Sequence, residues 1–267
     1  MTGPIVVKVG GAAVEHAGPD LWKALAEAAS ARPLVIVHGG GAVVDARLGA
    51  HGLTSERRGG LRLTPPEHMG VVAGALAGEV NARVVNQLNN AGARAVGLTL
   101  IDGGAVECVN ANLSPGDRVG RIVRVRDAKP FVALRASGLL PVVASIGADR
   151  AGLLNINADD AAEGLAVGLG ASQLVYLSDV PGVLNADGDD IPYIEVDEVE
   201  GLVADGVIAG GMEAKVRSAA RAAAKVSGSV TIASWKETWA LTRLLIQQGG
   251  GGTQIAVSAA TSTGDQS

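Results

Sequence analysis

Cysteine is almost missing from this sequence. Cys108 stands alone among 267 residues, so no disulfide can form within the chain, and a lone thiol reads as a small core hydrophobe. Aromatic residues are nearly as scarce, at 2%, so the core must be built from the Val, Leu, Ile and Ala that dominate a 48% hydrophobic fraction. No apolar run reaches the roughly 18 residues of a membrane span, and the opening "MTGPIVV" lacks the basic stretch of a secretory signal. A surplus of positive charge is missing too. The 22 Lys and Arg against 27 Asp and Glu leave a net charge of −5, which argues against nucleic acid or a membrane surface as partner. A soluble cytoplasmic protein is expected. Four histidines, His16, His38, His51 and His68, show no metal-ligand spacing, and no Ser-His-Asp arrangement can be assembled from them. Lysine is the minority cation, six of the 22, so a lysine in an unusual place needs a reason beyond composition.

What is present is a regular alternation. "PIVVKV" (4–9), "PLVIVH" (33–38), "ARAVGLTL" (93–100), "LPVVASIG" (140–147), "SQLVYLSD" (172–179) and "SVTIAS" (229–234) read as strands. Continuous apolar runs of this length suit strands buried on both faces, and the spacing leaves room for helices between them, so an α/β fold with a mainly parallel sheet is predicted. The clearest helix opens at "TPPEHMGVV". Thr64 and Glu67 have the spacing of a capping box, and Gly92 closes a run of about 25 residues; its length suggests a subunit interface as well as core packing. Residues 103–126 read as an antiparallel excursion, and "ADRAGLLN" (148–155) marks a soft boundary between two lobes on one sheet.

Glycines and lysines carry the chemical signal. "KVGGA" and "VHGGGAVV" each follow a strand and precede a helix. Glycine permits φ > 0 and close approach of backbone N–H groups to a ligand, and the helix start that follows favours an anion. Two such turns at the carboxyl ends of neighbouring strands would form a double anion cradle, although tight turning alone also accounts for either one. No dinucleotide G-x-G-x-x-G fingerprint and no G-x-x-x-x-G-K-[ST] loop is present. Lys8 interrupts the first strand directly before Gly10 and Gly11; Lys215 stands in "AGGMEAKVRS", early in a helix. Two such point charges could hold the oxygens of a migrating phosphoryl group, and each alone could be an ordinary ion-paired lysine. In "LLNINADDAAEG", Asn155 and Asn157 alternate and Asp159 and Asp160 open a helix. Asn155 could donate to an anionic substrate while Asp159 holds the lysines, or the aspartates could be plain caps. Arg62 in "RRGGLRLT" suits a bidentate carboxylate clamp, with Arg57 and Arg58 as surface charges. The acid-rich loop in "YLSDVPGVLNADGDDI" (176–191) could border a nucleotide–Mg²⁺ site or be merely solvated.

Taken in order, "VVKVGGA", "PLVIVHGGGAVVD", "GLRLT", "AGALAGEVN", "LPVVASIG", "LNINADDAA", "VYLSDVPGVL", "GGMEAKV" and "IASW" resemble the N-acetylglutamate kinases of the amino-acid kinase family, over about residues 4 to 257. The resemblance implies a three-layer αβα sandwich with a mainly parallel central sheet. It implies one domain over 1–257, with an N-lobe (about 1–150) for acyl substrate and dimer contact and a C-lobe (about 151–257) for nucleotide; 258–267 is expected to be a disordered tail. The implied reaction is ATP-dependent phosphorylation of the γ-carboxylate of N-acetyl-L-glutamate in arginine biosynthesis, with Mg²⁺ carried by ATP and no direct protein metal site. By position, Lys8 and Lys215 match the phosphoryl-stabilising lysines and Asp159 the aspartate that orders them. Gly40, Gly41, Arg62 and Asn155 match acetylglutamate-binding positions, and Gly10 and Gly11 lie at the transferring phosphate. Asp179, Val180, Pro181, Gly182, Val183 and Leu184, with Val207, Ile208 and Ala209, match nucleotide-binding segments. The chain starts almost at strand one, without the extra N-terminal helix of hexameric relatives, so a homodimer without strong arginine inhibition is expected. Two alternatives stay open: a kinase for an aminoadipate group on a carrier protein, and a non-catalytic ligand-binding module on the same fold.

Overall fold

In a computed structural model of the chain, which describes residues 3–185, 187–247 and 249–257, the apolar runs pair into one sheet. Its strands are β1 (Ile5–Val9), β2 (Leu34–His38), β3 (Ala95–Thr99), β4 (Leu140–Ala144), β5 (Gln173–Ser178), β6 (Tyr193–Glu195), β7 (Ser229–Ser234) and β8 (Thr253–Ala256). The order is β6-β8-β7-β5-β1-β2-β4-β3. Pairing is parallel from β7 across to β3. β8 runs antiparallel to β7, and β6 follows β8. The mainly parallel α/β sheet expected from the apolar runs is what forms; β6 and β8 are additions at one edge. The tail expected over 258–267 lies outside the described residues.

Strand periodicity sorts the core into two layers. Ile5, Val7 and Val9 of β1, with Ile36 of β2 and Val142 of β4, pack under the helices Pro19–Ala31 and Gly41–Ala50 and under a long helical stretch from Pro66 to Asn90. Val6, Val35, Val37 and Val143 face the other way, towards Ala158–Gly168 and Gly211–Ala223. Fully burying each such side chain contributes roughly 1.5–3 kcal/mol. Lys8 shares the parity of Val6 and so emerges on the face covered by Ala158–Gly168.

The long helix is one continuous run in three segments, Pro66–Ala73, a π-helical Gly74–Val80, and Asn81–Asn90. The Thr64–Glu67 capping box does not form. Pro65 takes the N-cap position, which puts Thr64 one residue outside the helix; its hydroxyl donates to the Arg62 carbonyl at 2.9 Å instead. The run 140–147 is also divided: β4 ends at Ala144, and Ile146–Asp149 turns back on Gly152–Ile156 as an antiparallel hairpin. Residues 148–155, read as a soft boundary between lobes, fall within this hairpin. Together with the antiparallel pair Val106–Asn110 and Val119–Val125 it builds a second, four-stranded sheet. That sheet lies on the Ala158–Gly168 helix, where a Cβ on Gly164 would meet Ile122 Cδ1 at 2.8 Å.

Candidate functional site

The carboxyl ends of β1, β2 and β5 carry the predicted chemistry, at the edge where open parallel sheets bind ligands. After β1 comes Gly10 and a short helix, Gly11–His16; after β2 come Gly39, Gly40 and the Gly41–Ala50 helix. None of these glycines takes a left-handed φ: Gly10 sits at −71°, and Gly40 at 170°, close to the fully extended limit. The expectation that they turn through left-handed conformations is corrected, because what they supply is space. A Cβ on Gly40 would stand 2.8 Å from Val80 Cγ2 and 3.1 Å from Leu76 Cδ2, and one on Gly11 would stand 3.4 Å from the Gly41 nitrogen. Left-handed backbone is needed instead at Gly210, φ 58°, which turns the chain into the helix bearing Lys215.

Lys8 reaches Asp159 with its Nζ 2.8 Å from Oδ1, at side-chain exposures of 15% and 27%. Asp159 stands in the first turn of Ala158–Gly168, whose N-cap is Asn157; the Asn157 side chain accepts from the backbone N–H groups of Asp159 and Asp160. The cap is therefore Asn157 and not either aspartate; Asp159 contributes a first-turn negative charge and pairs with Lys8. Burial holds the neighbouring Asp160 above the usual carboxylate range, although the Arg221 charge pulls it down. Lys215 is held elsewhere, at the end of the adjacent strand: its Nζ donates to Ser178 Oγ at 2.8 Å and lies 3.4 Å from Asp179 Oδ1. The expectation that Asp159 holds both lysines is met for Lys8 alone. β1 and β5 are neighbours, with Lys8 opposite Tyr176, so the residues that hold Lys215, Ser178 and Asp179, lie at the end of the strand next to the one that carries Lys8. The Asp179 carboxyl lies below its ordinary range, chiefly through a hydrogen bond from its own backbone N–H and then through the Lys215 charge.

A cleft of about 230 Å³ opens beside Lys8. Lys8, the glycine turns, Arg57, Arg62 and Asn155 line it, and Asp159, already paired, is its one acidic group. The Arg62 side chain is only 7% exposed and is fixed on three sides, by Asp45, by Ser55 Oγ and by the Gly41 carbonyl at 2.9 Å. The hydrogen bond from Arg62, opposed by burial and aided by Ser55, holds Asp45 well below the usual carboxylate range. Asn155 Nδ2 donates to Thr64 Oγ1 at 2.9 Å, so one of its two amide hydrogens is already engaged. Gly10, Gly11, Gly40, Gly41, Lys8, Arg62, Asn155 and Asp159 are thus gathered at one edge, and Lys215 adjoins them.

The segments matched to nucleotide are more mixed. Asp179 touches Lys215, and Val207, Ile208 and Ala209 lead into the helix that carries it. Val183 and Ile208, each 1% exposed, are core residues that can offer only backbone. Gly182 packs on Thr253, and the Val183 N–H donates to Thr253 Oγ1 at 2.8 Å. Val180, Pro181 and Leu184 complete this loop between β5 and the pair Val183–Leu184 with Asp190–Ile191. Among the described residues no three His, Cys, Asp or Glu side chains converge on a metal position. No helix among them is long and apolar enough to cross a membrane.

Sequence reasoning missed Asp45, Ser55, Thr64 and Ser178, and set Arg57 aside as a surface charge although it lines the cleft and pairs with Asp45 at 3.2 Å. The only available signal was indirect: an arginine sunk in a cleft requires a carboxylate, and Asp45 is the acid of the helix that follows the glycine triplet.

Comparison with known proteins gives a concordant result. Residues 3–234 match the family model of the amino acid kinase family. The chain is 44% identical over 250 residues to the acetylglutamate kinase of Moritella profunda, covering 92% of this chain and 94% of the other. It is 41% identical over 256 residues to that of Colwellia psychrerythraea, covering 94% and 96%. Among solved structures, smu.665 from Streptococcus mutans UA159 superposes with a TM-score of 0.80 at 28% identity, covering 97% of this chain and 100% of that one.

Proposed function

The chain belongs to the amino acid kinase family, and from that premise and the cleft we propose that it transfers the γ-phosphoryl group of ATP to the γ-carboxylate of N-acetyl-L-glutamate, a step of arginine biosynthesis. One observation carries the reading: a cleft lined by Lys8, Arg57, Arg62 and glycine amides, with one neutralised carboxylate, opens beside a second lysine at the next strand end. N-acetylglutamate carries two carboxylates, both ionised at neutral pH because their pKa values lie near 4. Its acceptor oxygen needs no general base, so the absence of a catalytic histidine leaves no gap. The barrier is charge crowding between anions, and preorganised positive charge lowers it.

In this reading Arg62, Asn155 and the Gly40–Gly41 amides hold the acyl substrate, and Asp159 aims Lys8 at the transferring phosphoryl group. Lys215 approaches the same group from the nucleotide side, with Gly10 and Gly11 at the phosphate. The backbone of Asp179–Leu184 and Val207–Ala209 borders ATP. Mg²⁺ bound to the nucleotide would neutralise phosphate charge. The N-lobe then takes the acyl substrate and the C-lobe the nucleotide. A cytoplasmic homodimer goes with this reading; the open β3 edge of the sheet offers a surface for it, and sedimentation tests it.

The reaction is tested by incubating the protein with ATP, Mg²⁺ and N-acetylglutamate and trapping acyl phosphate with hydroxylamine. Hydroxamate from N-acetylglutamate, and little from aminoadipate derivatives, is expected. Reversed preference would support the carrier-linked alternative, and no hydroxamate from any carboxylate would overturn the enzyme reading.

A further inference from the structure

Two buried polar side chains beside the cleft have no role in the chemistry above. His38, the last residue of β2, is fully buried, and Asn81, the first residue after the π-helical segment, is nearly so. Asn81 Nδ2 lies 3.0 Å from His38 Nε2 and 3.0 Å from the Val142 carbonyl oxygen. A carbonyl only accepts, so this end of the amide is the NH₂ group, and the ring nitrogen it also meets must be the bare one. The other ring nitrogen, Nδ1, lies 3.0 Å from the Gly39 carbonyl oxygen and must carry the proton. Two separate carbonyl partners therefore assign the same tautomer. Burial pushes the His38 pKa down to about 4, against a smaller upward pull from the Gly39 hydrogen bond, so this neutral form persists through the physiological range.

The ring bears on the glycine cradle. The Gly39 N–H donates to the Val9 carbonyl at 3.0 Å, and its own carbonyl accepts from His38. In a planar trans peptide the next N–H points opposite to that carbonyl, so fixing the Gly39 oxygen also fixes the direction of the Gly40 N–H. The Gly40 and Gly41 nitrogens lie 3.7 and 3.4 Å from the place of a Cβ on Gly11, and so border the gap between the two glycine turns. Space has been left for the pair as well: a Cβ on Gly97 would collide with Asn81 Oδ1. The π-helical segment that ends just before Asn81 also supplies Leu76 and Val80 against Gly40.

We propose that His38 and Asn81 are a positioning pair: Asn81 selects the Nδ1–H tautomer of His38, and that proton locks the Gly39–Gly40 peptide so that its amide meets an oxygen of the acyl substrate. The inference rests on the acetylglutamate reading of the cleft and adds to it two residues that do not touch the substrate.

Asn81→Asp is the informative variant. The register places His38 between Val9 and Ala144, neither of which titrates. Lys8 and Asp159 lie on the opposite face of the sheet. On the helices of His38's own face, Asp45 is held by Arg57 and Arg62, and Glu79 by Arg47 and Arg83. A carboxylate in place of the Asn81 amide would raise the His38 pKa towards neutrality. At low pH the imidazolium would still donate to Gly39. As pH rises, the single remaining proton would stay on Nε2, facing the new carboxylate, and leave Nδ1 bare against the Gly39 oxygen.

In Asn81→Asp the KM for N-acetylglutamate should therefore rise about tenfold with increasing pH through the new pKa, while the KM for ATP follows wild type. In wild type the His38 contribution stays flat over the same range. A general folding defect would move both KM values without titrating. A pH-flat acyl KM in a folded, active variant would overturn the inference. Should the variant not fold, ¹H–¹⁵N spectra of the His38 ring in the wild-type protein decide: Nδ1 protonated supports the pair, and Nε2 protonated overturns it. Failure of the acetylglutamate reading itself would be seen separately, as wild type that makes no hydroxamate.

Discussion

Replacing Lys8 by methionine removes one ammonium group and keeps most of the stem that passes through β1. The 2.8 Å ion pair with Asp159 disappears with it. At an effective dielectric constant near 20, two unit charges at that distance attract by about 6 kcal/mol, but desolvation offsets most of this in a partly buried pair. Asp159, left behind, is 27% exposed and sits in the first turn of a helix whose positive end favours it. The net cost to folding is therefore only about 1 kcal/mol, or a fall of roughly 2–4 °C in Tm for a domain of this size. The catalytic cost is much larger. Losing one preorganised charge at a crowded anionic transition state typically costs about 2.7–4 kcal/mol, which is about 10²–10³ in kcat. The signature is the divergence of the two numbers: kcat down about 100-fold or more, with KM for each substrate changed by less than about threefold. Initial rates of acyl-hydroxamate formation at saturating ATP and N-acetylglutamate, beside a melting curve, measure both. Lys215→Met should behave alike, and the double variant should lose less than the product of the single losses if both amines serve one phosphoryl group. A folded Lys8→Met enzyme with wild-type kcat would refute the reasoning.

Three further outcomes follow from the same geometry. Arg62→Lys keeps the charge but loses the planar fork that Asp45, Ser55 and Gly41 orient, so KM for N-acetylglutamate should rise about tenfold or more with KM for ATP unmoved in the same steady-state assay. Gly40→Ala drives a methyl group to 2.8 Å from Val80 Cγ2 and should cost about 1–3 kcal/mol in urea unfolding; adding Val80→Ala should restore part of the loss. His38 titrates near 4 in the fold and near 6.5 when unfolded; below 6.5 the unfolded chain takes up a proton that the folded one refuses. Stability should thus fall by about 3 kcal/mol as pH drops from about 6.5 to about 4, and unfolding curves of a His38→Leu variant should lack that component.

Six strands of the central sheet were legible as apolar runs; in five of them runs such as "VVKV" and "LVIV" are buried by helices on both faces, while β3, at the edge, stays partly exposed. β6 and β8 were not, because "YIE" and "TQIA" are too short and too polar to announce themselves; β8 exists because the edge of β7 offers it hydrogen bonds, and β6 because β8 in turn offers its own. The hairpin over Ile146–Asp149 and Gly152–Ile156 was hidden inside a run that looked like one strand followed by a soft boundary between lobes. Within the site, Lys8 and Asp159 were legible because each is chemically odd in its own neighbourhood. Thr64 and Asn155 were not legible as partners, since 91 positions separate them and only the second sheet brings them together. The glycines were found with one of their two reasons wrong: the left-handed torsion is not used, and the packing of Val80 and Leu76 against Gly40 shows that the missing volume is what matters there.

The parity of one strand connects these results. Along β1 the side chains alternate between the two helical layers, so Lys8 shares a face with the helix whose first turn carries Asp159. Along β2 the same alternation sends His38 to the opposite face, where Asn81 waits at the end of the π-helical segment. The reaction edge is therefore organised from both sides of one sheet: charge is supplied from the layer of Ala158–Gly168, and backbone direction from the layer of the long helix. A one-residue slip of β1 against β2 would exchange the faces, burying an ammonium under Leu and Val and leaving Asp159 without its partner. The unusual lysine in the first apolar run is thus part of what sets the strand register, because only one register gives its charge a carboxylate.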